Sequence, residues 1–257
     1  MISTASAAAH PNIAFIKYWG ARDLGRAVPV NPSISMTLTR CVSTTTVEVG
    51  GGEDEVLLAG PEGLVPAAGS FRQRIVDHLG RLRHWAGTDA RFRLATRNSF
   101  PASAGMASSA SGFAALTTAV VAALGRSVDE ATLSELARMS GSGSASRSVI
   151  GGYVEWPARG SGDRCYATRI APPEHWELCD VVALVQEGPK KVSSLEGHVR
   201  ATTSPHFDRR LELIDQRLSE VRAAIEARDL ERLGPVLEED AIELHLVAMS
   251  SRPPIFY

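Results

Sequence analysis

The stretch "FPASAGMASSASGFAAL", Phe100 to Leu116, decides how the chain is read. Between Ala102 and Gly112 it holds ten Ala, Gly and Ser residues, interrupted only by Met106. Small residues cost backbone entropy and bury little apolar surface, so such a run marks a place where something must approach the backbone closely. The run lies between an extended segment and a helix in which Phe113, Leu116, Val120 and Leu124 recur at helical spacing. The first N–H groups of a helix lack partners, and the helix dipole makes that end positive. Phosphate is the natural ligand there, and Ser108 and Ser109 add hydroxyls for phosphate oxygens or a metal ion. The Lys-Ser/Thr ending of a P-loop is absent, and so is the dinucleotide fingerprint. The alternative reading is a tight helix–sheet contact that needs small side chains.

A second stretch of this kind is "SGSGSASRS", Ser140 to Ser148. Gly141 is placed to end the preceding helix, and the serines and Arg147 present donors. Arginine suits bidentate capture of carboxylate or phosphate. A flexible linker would rarely run straight into "VIGGYVEW", which reads as a strand. Two anion-cradling loops suggest a nucleotide and an anionic second substrate.

Around these loops, strands are expected over Asn12–Trp19, Ser33–Thr39, Ser43–Val49, Glu55–Leu58, Phe92–Thr96, Gly152–Trp156, Cys165–Ile170 and Leu178–Val185. Helices are expected at "FRQRIVDHLGRLRHWAG", after a capping box at Ser127–Glu130, and twice near the end. There Leu211, Ile214, Leu218, Val221 and Ile225 form one apolar stripe, and Leu237, Ala241, Leu244 and Ala248 another. Gly234–Pro235 reads as the break between them. The interleaving lacks a regular βαβ rhythm and points to an α+β fold. The Pro-rich "RIAPPEHWEL" places a domain boundary near residue 172, dividing the chain into 1–172 and 173–257.

The chain has 257 residues, 44% of them hydrophobic, and a net charge of −2. That charge gives no sign of a nucleic-acid partner. No apolar run approaches the ~20 residues of a membrane span, and the N-terminus lacks the features of a signal peptide. Cys41, Cys165 and Cys179 are scattered without metal-ligand spacing, as expected of reduced residues in a cytoplasmic protein.

"NIAFIKYWG" at Asn12–Gly20, the two small-residue loops, "VPVNPSISMTL", "KKVSSLEGH" and "RPPIFY" occur in one order along the whole chain. Together they resemble the mevalonate diphosphate decarboxylases of the GHMP kinase superfamily. The resemblance implies an S5-like N-terminal domain and a ferredoxin-like C-terminal domain. It also implies ATP and Mg²⁺ and a phosphorylated mevalonate as substrate; a homodimer is the default expectation for the assembly. ATP phosphorylates the tertiary 3-hydroxyl; phosphate then leaves as CO₂ departs, and a carbon–carbon double bond forms. Gly105, Ala107, Ser108 and Ser109 would bind ATP, with Ser109 also on the metal. Lys17 would sit near the reacting hydroxyl and Tyr18 near the 5-phosphoryl end. Ser142, Ser144 and Ser194 would hold the substrate, and Arg147 its carboxylate; Lys17, Arg147 and Ser109 are the catalytic candidates.

Three departures from that family stand out. The usual Lys-Tyr-Trp-Gly-Lys reads "KYWGA" here, with Ala21 where a lysine contacts the diphosphate. After the Ser193–Ser194 pair stands Leu195, where the family has Arg, Ser or Thr. Both changes favour mevalonate 5-phosphate over the 5-diphosphate, with His198 (where the family often has Met) or Lys191 as a compensating group. The third is the chain end. The family continues beyond "RPPIFY" with an Asp-Xaa-Gly-Pro segment whose aspartate acts on the 3-hydroxyl, so the second domain is expected to be incomplete at its C-terminus. Asp240 and Glu243 lie on the last expected helix, and nothing in the pattern assigns either to that role. A relative that phosphorylates without decarboxylating, and a catalytically dead nucleotide-binding paralogue, are the competing readings.

Overall fold

The computed structural model describes residues 3–50, 52–61, 63–101, 108–157, 159–183 and 192–256. In chain order they form β1 (Ser3–Ala9), β2 (Asn12–Ile16), β3 (Ala21–Asp23), β4 (Val28–Pro29), β5 (Ser33–Thr37), β6 (Ser43–Val49), β7 (Glu55–Gly60) and β8 (Gly63–Pro66). There follow α1 (Gly69–Ala86), β9 (Phe92–Asn98), α2 (Ser108–Ala123), α3 (Glu130–Arg138), α4 (Gly143–Ser148), β10 (Tyr153–Trp156) and β11 (Thr168–Ala171). The last elements are α5 (Ser194–Ala201), α6 (Phe207–Ala227) and α7 (Leu230–Ser250). Packing groups the chain into two units, Met1–Asn12 with Leu38–Ile150 and Ile13–Thr37 with Gly151–Tyr257. The units therefore interleave instead of following a single cut near residue 172: the N-terminal segment passes from the first unit to the second and back before β6.

The first unit is built on a sheet of order β1-β6-β9-β7-β8, antiparallel except for the parallel pair β7/β9. Val47 and Leu94 on its inner face meet Leu79 and Leu82 of α1 and Phe113 and Leu116 of α2. Helix α2 lies across β1 and β6. Ala110, Ser111, Ala114 and Ala115 form its buried face. The tight helix–sheet contact is thus one use of the small residues. Ser109 stays exposed and Ser108 half-buried, so the same turn also keeps an open side. Buried His78 donates to or accepts from Thr117 at 2.8 Å, and burial lowers its pKa to about 3.

The second unit is built on a sheet of order β11-β10-β5-β2, with the hairpin β3–β4 and helices α5 to α7. Trp19, Ala201, Phe207, Leu244 and Val247 form one of its apolar clusters. Gly20 adopts φ +92°, and a Cβ there would lie 2.6 Å from the Phe207 ring. Only glycine meets both conditions, which accounts for this position of the "KYWG" motif.

Several expectations are corrected. Strand β2 stops at Ile16, so Lys17, Tyr18 and Trp19 lie beyond it. The Ala-rich β1 was not foreseen; its strand state comes from seven paired positions on β6. The cap of α3 is Asp129, which accepts from Thr132 N–H at 2.8 Å, and not Ser127. The break before the last helix falls at Arg228, in the left-handed conformation with φ 56°, and Asp229, which caps α7 by accepting from Arg232 N–H. Pro235 sits inside α7, and it and Glu231, whose carbonyl it leaves without a helical donor, are both exposed. No strand forms over 178–183, where Val181 is 91% exposed. Residues 184 and 185 lie outside the described residues.

Candidate active site

Arg147 of the first unit is the most fully organised of the expected site residues. It lies on the short helix α4 and is only 2% exposed. Its Nε and Nη2 both donate to Asn12 Oδ1, at 3.2 and 3.1 Å. Nη2 also donates to Ser144 Oγ at 3.1 Å. Asn12 in turn donates through Nδ2 to the Ser144 carbonyl at 3.0 Å and to Ser148 Oγ at 2.8 Å. The side-chain amide thus faces its oxygen to the arginine and its nitrogen to α4, fixing the plane of the guanidinium. Ser142 precedes α4 as its N-cap residue, half-buried and without a capping hydrogen bond from its side chain. Asn12 is the functional candidate that sequence reasoning missed. Its signal was available, because it opens the "NIAFIKYWG" motif.

The small-residue loop is described from Ser108 onward; Gly105 and Ala107 lie outside the described residues. Ser111, the third serine, is committed to the protein. Its hydroxyl lies 2.6 Å from Ser43 Oγ and donates to the Ser108 carbonyl at 3.3 Å. That leaves Ser108 and Ser109 as the hydroxyls on the open side of the first turn. A Cβ added at Gly112, one residue after Ser111, would meet nothing within 4 Å. Its absence keeps that side clear.

In the second unit, Lys17 is half-buried and its ammonium donates to the Ala14 carbonyl at 2.9 Å. Its backbone N–H donates to Asp240 Oδ2 at 3.1 Å. Tyr18 stacks on His198, with ring centroids 4.6 Å apart and planes 14° from parallel, and meets Trp156 edge-on at 5.0 Å. His198 Nδ1 accepts from Gly20 N–H at 3.1 Å, which leaves the ring proton on Nε2. Burial pushes the His198 pKa down to about 4, so at neutral pH this ring offers a polar edge and no charge. Ser194 opens α5 and is exposed, while Ser193 caps that helix by accepting from Glu196 N–H at 3.2 Å. Leu195 is exposed one turn before His198. Lys191 lies outside the described residues.

His198 yields a pH prediction. Between pH ~6.5 and ~4 the unfolded imidazole binds a proton that the folded one does not, so stability falls as pH drops through that window. At ~1.4 kcal/mol per pKa unit the full effect is roughly 3 kcal/mol. Urea unfolding at stepped pH should show a shallower acid loss for His198→Met than for the parent. Equal slopes would place the acid sensitivity elsewhere, with His78 the next group to test.

Among the described residues no cluster of three or more His, Cys, Asp or Glu could hold a metal ion. Among those residues, too, no helix is long and apolar enough to cross a membrane.

Comparison with known proteins identifies the family. Residues 9–167 match the family described as diphosphomevalonate decarboxylase-like N-terminal domain, and residues 180–257 match the mevalonate 5-diphosphate decarboxylase C-terminal domain. The diphosphomevalonate decarboxylase of Ganoderma lucidum is 35% identical over 98% of this chain and 67% of its own length. The crystal structure of mevalonate diphosphate decarboxylase from Staphylococcus aureus superposes with a TM-score of 0.89 at 36% identity, over 100% of this chain and 77% of that one. A complex described as MDDEF with MVAPP, AMPPCP and magnesium gives a TM-score of 0.88 at 34% identity, over 100% and 78% of the two chains. The α+β architecture is that of the GHMP kinase fold these neighbours share. The chain belongs to the diphosphomevalonate decarboxylase family.

Proposed function

We propose that this protein is an ATP-dependent carboxy-lyase that decarboxylates a 5-phosphorylated mevalonate in isoprenoid precursor synthesis. The observation that carries the proposal is the buried Arg147 guanidinium, held in one plane by Asn12 and Ser144. A cation so placed suits a carboxylate that must be gripped while it is still charged and released as CO₂. In this reading Arg147, Ser142 and Ser144 hold the carboxylate end of the substrate. Lys17 faces the 3-hydroxyl, and Tyr18 and Ser194 lie toward the 5-phosphoryl end. Phosphorylation of the 3-hydroxyl turns a poor leaving group into phosphate.

Ser108 and Ser109 fit ATP and Mg²⁺ by the chemistry of their donors: hard hydroxyl oxygens at the positive end of a helix. Magnesium keeps most of its ligands as water and phosphate oxygens, so one protein hydroxyl from Ser109 suffices. When bound it neutralises charge on the phosphates. The same reading assigns Gly105 and Ala107 to ATP.

The number of phosphates on the substrate separates two versions of the proposal. The relatives named above carry the diphosphate in their names. For this chain we favour mevalonate 5-phosphate, because Ala21 and Leu195 supply no polar group where a second phosphate would lie. His198 is neutral, and Arg22 does not replace the missing lysine. Arg22 instead lines a cavity of about 490 Å³ with Arg159 and Arg222. One lost charge-assisted contact is worth roughly 1.5–3 kcal/mol, about ten- to a hundredfold. Ala21→Lys should therefore shift the ratio of kcat/KM toward the diphosphate by that factor. The deciding assay supplies ATP with each substrate in turn to the full-length enzyme and follows ADP, CO₂ and inorganic phosphate separately. ADP without CO₂ would mean a 3-kinase. A parent enzyme that already favours the diphosphate would make Ala21 and Leu195 tolerated variation.

We further propose a homodimer in the cytoplasm. Sedimentation velocity checks the first, and the free thiols of Cys41, Cys165 and Cys179 suit the second.

A further inference from the structure

Lys17 is the first residue past the end of β2, so its peptide groups leave the sheet ladder. Both are taken up by the same buried ion pair. Lys17 N–H donates to Asp240 Oδ2 at 3.1 Å, and Lys17 C=O accepts from Arg210 Nη2 at 2.9 Å. The same Arg210 Nη2 lies 2.8 Å from Asp240 Oδ1, and Nη1 donates to the Asp240 carbonyl at 3.1 Å. The side chains of Arg210 and Asp240 are 1% and 0% exposed. Arg217 stands 3.9 Å behind Asp240 and is held at 2.6 Å by Glu243. Asn31 adds a further donor to the Lys17 carbonyl, at 3.2 Å, and accepts from Trp19 N–H at 3.1 Å.

Such a pair is a poor device for stability alone. Removing two ions from water costs several kcal/mol each, and apolar side chains of similar volume often serve as well or better. A backbone N–H and C=O can also be satisfied by neutral groups, as Asn31 shows for the Trp19 N–H and the Lys17 carbonyl. What the ion pair adds is charge-assisted bonding to both sides of one residue from two long helices. The residue so gripped is the one whose ammonium the proposed chemistry uses.

We propose that Asp240 and Arg210 are positioning residues, a clamp on the Lys17 backbone that sets where its ammonium stands relative to the reacting hydroxyl. The clamp acts through Lys17 and touches neither substrate nor nucleotide. It rests on the assignment of Lys17 made above.

The test is a double-mutant cycle on the full-length enzyme, with kcat, both KM values and urea unfolding measured for every member. Asp240→Asn keeps the shape and still offers an oxygen to Lys17 N–H, but it removes the charge that holds Arg210. It should lower kcat about 10- to 100-fold, the scale of a misplaced reacting group, with KM for substrate and ATP nearly unchanged. In a Lys17→Ala background the same substitution should change kcat less than about twofold, while its cost in unfolding midpoint persists. A purely structural pair gives the opposite pattern: equal kcat losses in both backgrounds, and that result would overturn the proposal. So would an unchanged kcat in Asp240→Asn. A silent Lys17→Ala would overturn both this proposal and the assignment of Lys17, whereas a damaging Lys17→Ala with additive losses sinks the clamp alone. Should Asp240→Asn fail to fold, Arg210→Lys carries the same cycle. It keeps the charge but cannot bridge the Lys17 and Asp240 carbonyls in the guanidinium's plane.

Discussion

Arg147→Lys is expected to lower kcat/KM for a phosphorylated mevalonate by ~10²–10³-fold, the loss seen when one preorganised donor leaves a charged site. ATP affinity should stay within about threefold, because the change removes contacts to the other substrate. Lysine keeps the charge, so a site that needed only a cation would tolerate it. Here the guanidinium edge donates twice to Asn12 Oδ1 and once to Ser144 Oγ. An ammonium has no plane for Asn12 to fix, and at this depth it is costly to bury with fewer partners. Asn12→Asp should be almost as damaging although it retains the acceptor oxygen. Its carboxylate would pair with Arg147 in place of the substrate, and its second oxygen would face the Ser144 carbonyl, which now accepts from Asn12 Nδ2 at 3.0 Å. Steady-state kinetics with ATP and substrate varied separately checks both variants. A kinetically silent Arg147→Lys would remove Arg147 from the site.

Local sequence carried the elements whose own residues decide them. Gly87 stops α1 in the left-handed conformation, and the stripe Ile214, Leu218, Val221 and Ile225 is the buried face of α6. It failed where a distant partner decides. Residues Ser3–Ala9 would favour a helix by propensity, yet pairing with β6 makes them a strand. The same division holds at the candidate site. Arg147, Ser144 and Lys17 were legible because the motifs name them, but the groups that hold them were not. Asn12 stands 135 residues from Arg147 and Asp240 stands 223 from Lys17, so no window of sequence contains either pair. A carboxylate on an amphipathic helix reads as solvated by default, and only burial shows Asp240 to be otherwise.

The second large effect concerns the small-residue loop, where two serines separated by one residue should behave in opposite ways. Ser109→Ala is expected to lower kcat by ~10²-fold or more and to leave folding nearly unchanged. Ser111→Ala should leave the kinetics unmoved and cost about 1 kcal/mol of stability. The difference lies in what each hydroxyl touches. Ser111 is fully buried, 2.6 Å from Ser43 Oγ, and Ser43 also donates to Asn98 Oδ1 at 2.6 Å. Removing Ser111 leaves a buried hydroxyl short of a partner inside the sheet. Ser109 is exposed on the first turn of α2, on the side that the buried Ala110, Ala114 and Ala115 leave open. Its hydroxyl therefore has little to give the fold and, in the proposed reading, much to give a phosphate or magnesium ion. Both variants need urea unfolding, turnover with saturating ATP, and nucleotide binding by calorimetry. Turnover within twofold of the parent for Ser109→Ala, with ATP still bound, would take the catalytic role away from the open side of α2 and leave helix–sheet packing as the reason for the small residues.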